Sequence, residues 1–306
     1  MPVGVTRGTN VADTTAHPAA PSSVLMLGGQ AVIEGVMLRS ARFVSVALRT
    51  MRGECVVETR PVPSPVISRA WLRAPFIRGI ATLADGLAVG TWALMVSARA
   101  GGSGQVPSTG RIRLVLVRSL TISITLFFLL PAFLVRFVGT GGQAVENWLE
   151  GVVRIAMVLA FLVAIGRIPA IQRVFQYHGA EHKVVNAYEA GFPLRVETVA
   201  GVSRFHPRCG TTFLLMVLLV AAIVFAALGR PSLPVRLAER VLILPVIASA
   251  SFEFMRLAQR AAALRPLLAP GLWLQRLTTR EPDAGQLGVA LAALKALLPL
   301  ETARPL

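Results

Sequence analysis

The chain has 306 residues, of which 54% are hydrophobic and 15% charged, and its mean hydropathy is +0.65. Soluble domains of this length do not carry that composition, so the sequence reads as an integral membrane protein. The formal net charge of +16 raises nucleic acid as a partner, but only 7% of the residues are aromatic. Anionic lipid accounts for the same charge, and no nucleic acid is expected.

Residues 1–24 are rich in Thr, Ala, Pro and Ser and lack an apolar core. They are expected to form a disordered tail and not a cleavable signal. The block Gly28-Gly29-Gln30-Ala-Val-Ile-Glu34-Gly35 sets glycines where the backbone turns or approaches a neighbour closely. Phe43–Thr50 and Cys55–Val62 are β-prone runs separated by Arg52-Gly53-Glu54, the pattern of a hairpin. A helical apolar pattern over 75–98 is interrupted by Arg78, Asp85 and glycines. It predicts a helix at the interface or against the bundle, not a span. Residues 25–110 thus form a cytoplasmic and interfacial region.

Four runs, about 117–138, 152–171, 212–228 and 237–255, are apolar enough to span, and 111–256 is the membrane region that contains them. Pro131 and Pro245 should kink the first and fourth, with neighbours satisfying the freed carbonyls. Arg99, Arg111, Arg113 and Arg118 precede the first span, whereas 139–151 has no Lys or Arg and carries Glu146 and Glu150. The segment 172–211 and the residues after 256 are basic again. Retention of positive residues in the cytoplasm makes this a multi-pass protein of the inner or plasma membrane with both termini cytoplasmic. The loop around Arg230 and Arg236 is the exception. The C-terminal region, 257–306, is read as cytoplasmic, with Trp273 as an interface anchor and Thr278/Glu281 at capping-box spacing. Leu287, Leu291, Leu294 and Leu298 then form the apolar stripe of an amphipathic helix, expected to dock on the bundle or the inner leaflet. The fold class is mainly α: about four transmembrane helices, a small N-terminal hairpin region and this C-terminal helix.

The residues with chemistry lie in Tyr177-His178-Gly-Ala-Glu181-His182-Lys183. His-x-x-Glu-His is the order of an inverted zinc-hydrolase motif. On a helix, His178 and His182 share a face and can reach one metal ion, with Glu181 beside it as general base. Span four places Glu253 at a similar depth, 71 residues after His182, as a carboxylate third ligand that leaves one position open. His206-Pro-Arg-Cys209 supplies a rival set: with His178 and His182 it fills a tetrahedral shell, which is structural. The sequence does not choose between the shells. Cys55 has no partner motif and reads as packing, and cytoplasmic thiols exclude a disulfide framework.

Four blocks carry a resemblance: Gly28–Met37, Tyr177–Lys183 with Asn186–Glu189, Ser203–Thr211, and Pro270–Asp283. Over about residues 25–300 the chain resembles the bacterial membrane family catalogued as domain of unknown function 1385, labelled a predicted metal-dependent enzyme. The resemblance implies a metal-dependent enzyme and names no substrate. Two function classes follow. One is a zinc-dependent hydrolase at the cytoplasmic membrane interface. The other is a non-enzymatic scaffold, assembly factor or transport-related protein whose His/Cys/Glu cluster is structural. The partners are the lipid bilayer and its anionic lipids, with a homo-oligomer or another membrane protein as the protein partner.

Overall fold

Three successive hairpin connections build a four-stranded antiparallel sheet in the order β1-β2-β3-β4: Gly28–Val32, Gly35–Arg39, Phe43–Arg49 and Cys55–Pro61. The computed structural model describes residues 25–62, 69–100, 109–138, 142–229 and 231–302; the expected tail 1–24 and Arg230 lie outside them. The expected hairpin is β3 and β4, paired from Arg49↔Cys55 to Phe43↔Pro61, with Gly53 at φ +81° in its turn. The glycine-rich block upstream is more than a turn. It forms β1 and the start of β2, joined through Ile33-Glu34, with Glu34 at φ +56°.

Both faces of the sheet are covered, which is why β2 and β3 are buried almost continuously instead of alternating in burial. On one face Met37, Val44, Val46 and Leu48 pack with Val89, Ala93 and Val96 of α1 (Ile77–Ala100). On the other, Val36, Leu38 and Ala47 pack with Tyr177, Ala180 and Val184 of α5 (Pro169–Glu189) and with Leu287, Leu291 and Leu294 of α11 (Ala284–Thr302). The leucine stripe therefore docks on the sheet and α5, neither on the bundle nor on a leaflet. Cys55 is not packing either: it is exposed, at the start of the edge strand.

Between these parts runs the apolar layer: α2 (Thr109–Ile124), a π-helical turn (Thr125–Leu129), α3 (Leu130–Val135), α4 (Gln143–Ile165), α7 (Gly210–Ala227), α8 (Leu233–Leu242) and α9 (Leu244–Arg260). A short α6 (Val196–Ala200) links α5 to this layer, and α10 (Ala269–Thr278) follows it. By length and composition five helices can cross a membrane, 77–99, 113–135, 145–165, 210–227 and 284–302, as can the pair α8–α9, bent by 42°. This is a multi-pass membrane protein. The α2–α3 helix, α4, α7 and the pair α8–α9 overlap the four runs read from the sequence. The sheet, α5 and α11 share one core, and the two further candidates, α1 and α11, are buried against the sheet.

Pro131 has no N–H for the Phe127 carbonyl, which instead accepts from Arg154 Nε at 3.0 Å. That guanidinium belongs to a buried ionic cluster. Glu150 accepts from Arg154, from Arg236 at 2.8 Å and from Arg240 at 2.7 and 2.8 Å, while Arg236 also reaches Glu146 at 3.3 Å and Asn147 at 3.1 Å. The acidic stretch 143–151 is thus the helical start of α4 and not a loop. Arg236, the exception to the charge rule, is held there by its carboxylate partners.

The start of α11 also differs from expectation. Thr278 ends α10, and the capping box lies five residues on: Gln286 N donates to Asp283 Oδ1 at 2.7 Å and Asp283 N to Gln286 Oε1 at 2.9 Å.

Candidate metal centre

Helix α5 begins at Pro169, where Gly166–Ile168 separate it from α4, and so leaves the apolar layer in a new direction. Its Tyr177, Ala180 and Val184 face the sheet core, which turns His178 and His182, one turn apart, toward the segment that leads into α7. Their rings are 4.4 Å apart, edge to face. Cys209 is the N-cap of α7, its Sγ accepting from Thr211 N at 3.4 Å. Ligand atoms of His178, His182 and Cys209 all lie within 4.8 Å of one another.

The hydrogen bonds decide which imidazole nitrogens converge. His178 Nδ1 donates to the Thr278 carbonyl at 2.9 Å and His182 Nδ1 to the Arg204 carbonyl at 2.6 Å. A carbonyl only accepts, so both Nδ1 atoms carry hydrogen and both Nε2 atoms present lone pairs. His178 Nε2 lies 3.2 Å from Cys209 Sγ. Two imidazole lone pairs and one thiol sulfur facing a common point, each ring oriented by a backbone carbonyl, form the donor set that zinc takes. The residues present therefore fit a zinc ion, with three protein ligands.

Glu181 stands beside this point. It is buried, and its Oε2 is 3.5 Å from His182 Nε2. Burial pushes its carboxyl above the ordinary value, against the opposing effect of His178 and His206. Burial likewise holds His182 below the usual imidazole value, so the ring is neutral and available as a ligand. Gly29 of β1 makes room for Glu181: a Cβ there would overlap the carboxylate. Gly179 does the same for the 278–281 segment, since its Cβ would overlap the Arg280 carbonyl. Gly179→Ala is expected to push that segment off α5 and take the Thr278 carbonyl from His178. Zinc affinity should fall about 10–100-fold, the scale for loss of an orienting partner. A chelator competition measurement checks this.

The other proposed ligands sit elsewhere. His206 is buried, with its ring 5.7 Å from that of His182, but both its ring nitrogens are engaged. Nδ1 accepts from Arg208 N at 3.3 Å, and Nε2 faces Glu189 Oε2 at 3.5 Å. Burial raises Glu189, but the His206 hydrogen bond and the Arg208 ion pair outweigh it and leave the carboxyl below its usual range. Glu253 lies outside the group. Its carboxylate is held by Arg78, with Nε donating at 2.6 Å, and accepts from Phe76 N at 3.2 Å. The reason is lateral: α9 packs on α1 and α7, so matching depth did not bring Glu253 to α5.

Sequence reasoning missed Gln275. It is fully buried and clamps the His206 backbone, accepting from its N–H at 2.9 Å and donating to its carbonyl at 2.7 Å. The carbonyls of Thr278 and Arg204 were also missed, since no side-chain pattern marks a backbone acceptor.

No solved structure matches the chain. It is similar to the uncharacterized protein YqhQ of Bacillus subtilis (strain 168), at 33% identity over 294 residues covering 90% of this chain and 92% of that protein. The profile of the family described as "Protein of unknown function (DUF1385)" matches residues 74–300, a stretch that contains both histidines of α5 and Cys209, and the chain belongs to that family.

Proposed function

We propose that the protein is a zinc-dependent hydrolase at the cytoplasmic face of the cell membrane, with His178, His182 and Cys209 as ligands and Glu181 as general base. The observation that carries this is the convergence of His178 Nε2, His182 Nε2 and Cys209 Sγ next to a buried carboxylate. When bound, zinc supplies a Lewis acid. The protein's own part is to orient the two imidazoles through the Thr278 and Arg204 carbonyls and to exclude bulk water around Glu181. Glu181 Oε2 takes and returns the proton, a role suited to a carboxyl raised by burial. A filled structural shell with His206 as fourth ligand finds less support, because both nitrogens of that ring are engaged. The arginines at 99, 111, 113 and 118, before the first span, support the cytoplasmic orientation.

The test is Glu181→Gln. Protein purified without chelator should carry about one zinc per chain in both forms. The variant should hydrolyse a panel of amphiphilic esters, phosphoesters and peptides about 10²–10⁴-fold more slowly than wild type. Absence of zinc from the wild type, or turnover indifferent to the substitution, would remove the reading.

A further inference from the structure

Where α4 ends, a cavity of about 600 Å³ opens to solvent. Its apolar part is Leu162 and Val163, from the last turn of α4, together with Leu277 of α10. Its polar part is basic: Arg167, Arg204, Arg276 and Arg280 line it against Glu281 alone among the acids. Glu281 is largely exposed and already shared between Lys183 at 2.9 Å and Arg204 at 3.2 Å. Among the described residues Arg167 and Arg276 have no ion-pair partner, and Arg280 contacts only backbone, its Nη2 donating to the Gly166 carbonyl at 2.9 Å. Arg204 Nε is buried and has no hydrogen-bond partner.

We propose that this cavity binds the phosphate group of a membrane amphiphile. Planar guanidinium forks match phosphate oxygens, and several together bind a doubly charged group that a single snorkelling arginine does not hold. The apolar wall continues the surface of a spanning helix, so an acyl chain lying along α4 brings its headgroup to the arginines. A free phosphate ion would leave that wall unused. The cavity also borders the metal centre. Arg204 and the 278–281 segment contribute to both, through the carbonyls that orient His182 and His178 on one side and through side chains on the other.

Binding is measured on the full chain in neutral detergent by calorimetric titration with dioctanoyl phosphatidic acid, dioctanoyl phosphatidylcholine and inorganic phosphate. One saturable phosphatidic acid site per chain is expected, at least about tenfold tighter than for the other two probes. Arg167→Gln combined with Arg276→Gln should weaken it at least about tenfold. Both residues are exposed at the cavity, so this variant should elute as wild type; should it not, Arg276→Gln alone carries the comparison. Inorganic phosphate binding as tightly as phosphatidic acid would overturn the amphiphile assignment. Unsaturable binding, or binding unchanged in the variant, would overturn the site. Neither outcome depends on whether zinc is bound or the centre is catalytic.

Discussion

Glu150→Gln is expected to lower stability by about 3–5 kcal/mol, the cost of leaving buried charge without its counter-ion. Glu150 is fully buried and accepts from all three of Arg154, Arg236 and Arg240, which are themselves no more than 1% exposed. A glutamine keeps the volume but turns one acceptor oxygen into a donor that faces guanidinium groups. Glu146 reaches Arg236 at 3.3 Å, whereas Glu150 accepts from all three arginines. The arginines also stack on aromatics, Arg240 lying 4.1 Å and Arg154 5.0 Å from the Phe225 ring centre. Loosening the cluster therefore disturbs the contact of α4, α7 and α8. In detergent the substitution should lower Tm by roughly 5–15 °C, followed by tryptophan fluorescence. Adding Arg240→Gln should recover part of the loss, a coupling that a double-mutant cycle isolates. A loss below about 1 kcal/mol for Glu150→Gln would mean that the cluster is wet and not a buried network.

Cys209→Ala and His182→Ala are expected to abolish stoichiometric zinc, with affinity falling on the order of 100-fold or more, beyond the range set by loss of an orienting partner. Glu253→Gln should leave zinc content unchanged, since its carboxylate is engaged by Arg78 and Phe76 N. Elemental analysis of the purified variants reads both outcomes. Zinc lost in Glu253→Gln but retained in Cys209→Ala would replace Cys209 by Glu253 in the ligand set and reject the proposed centre. A cobalt-loaded sample gives an independent readout, because thiolate ligation by Cys209 adds a charge-transfer band that Cys209→Ala must remove.

Several features were legible in the sequence because they depend on local chemistry. The hairpin at 43–61 follows from β-prone runs around Gly53, and the apolar helices overlapping the four runs follow from their apolar length. The close approaches read into the glycines of the 28–35 block are real at Gly29 and Gly35, although what approaches, the Glu181 carboxylate and the Ala47 carbonyl, was not predictable. The His-x-x-Glu-His spacing put His178 and His182 on one helical face, as a period of 3.6 requires. Less legible were features that need two distant segments. An apolar helix at 284–302 looks the same whether it meets lipid or a sheet, since both present only carbon. Residues 143–151 looked like a loop because Glu146 and Glu150 reduce hydropathy. They are helical because Arg236 and Arg240, some 90 residues on, neutralise them.

The sequence alone determined membership of a membrane class, the main apolar runs, and the placement of His178 and His182 on one helical face. Each is a property of one short segment, set by hydropathy, backbone chemistry or helical period. Only the tertiary structure decided which third donor joins the two histidines. Cys209 and Glu253 were both eligible by type and by depth, but depth along the membrane normal says nothing of lateral position. Packing of α9 on α1 and α7 takes Glu253 to Arg78, while the 203–209 segment, clamped by Gln275 and capping α7, brings Cys209 to α5. The orientation of the two imidazoles was likewise beyond the sequence, because the groups that set it are main-chain carbonyls, which every residue carries and no side-chain pattern distinguishes.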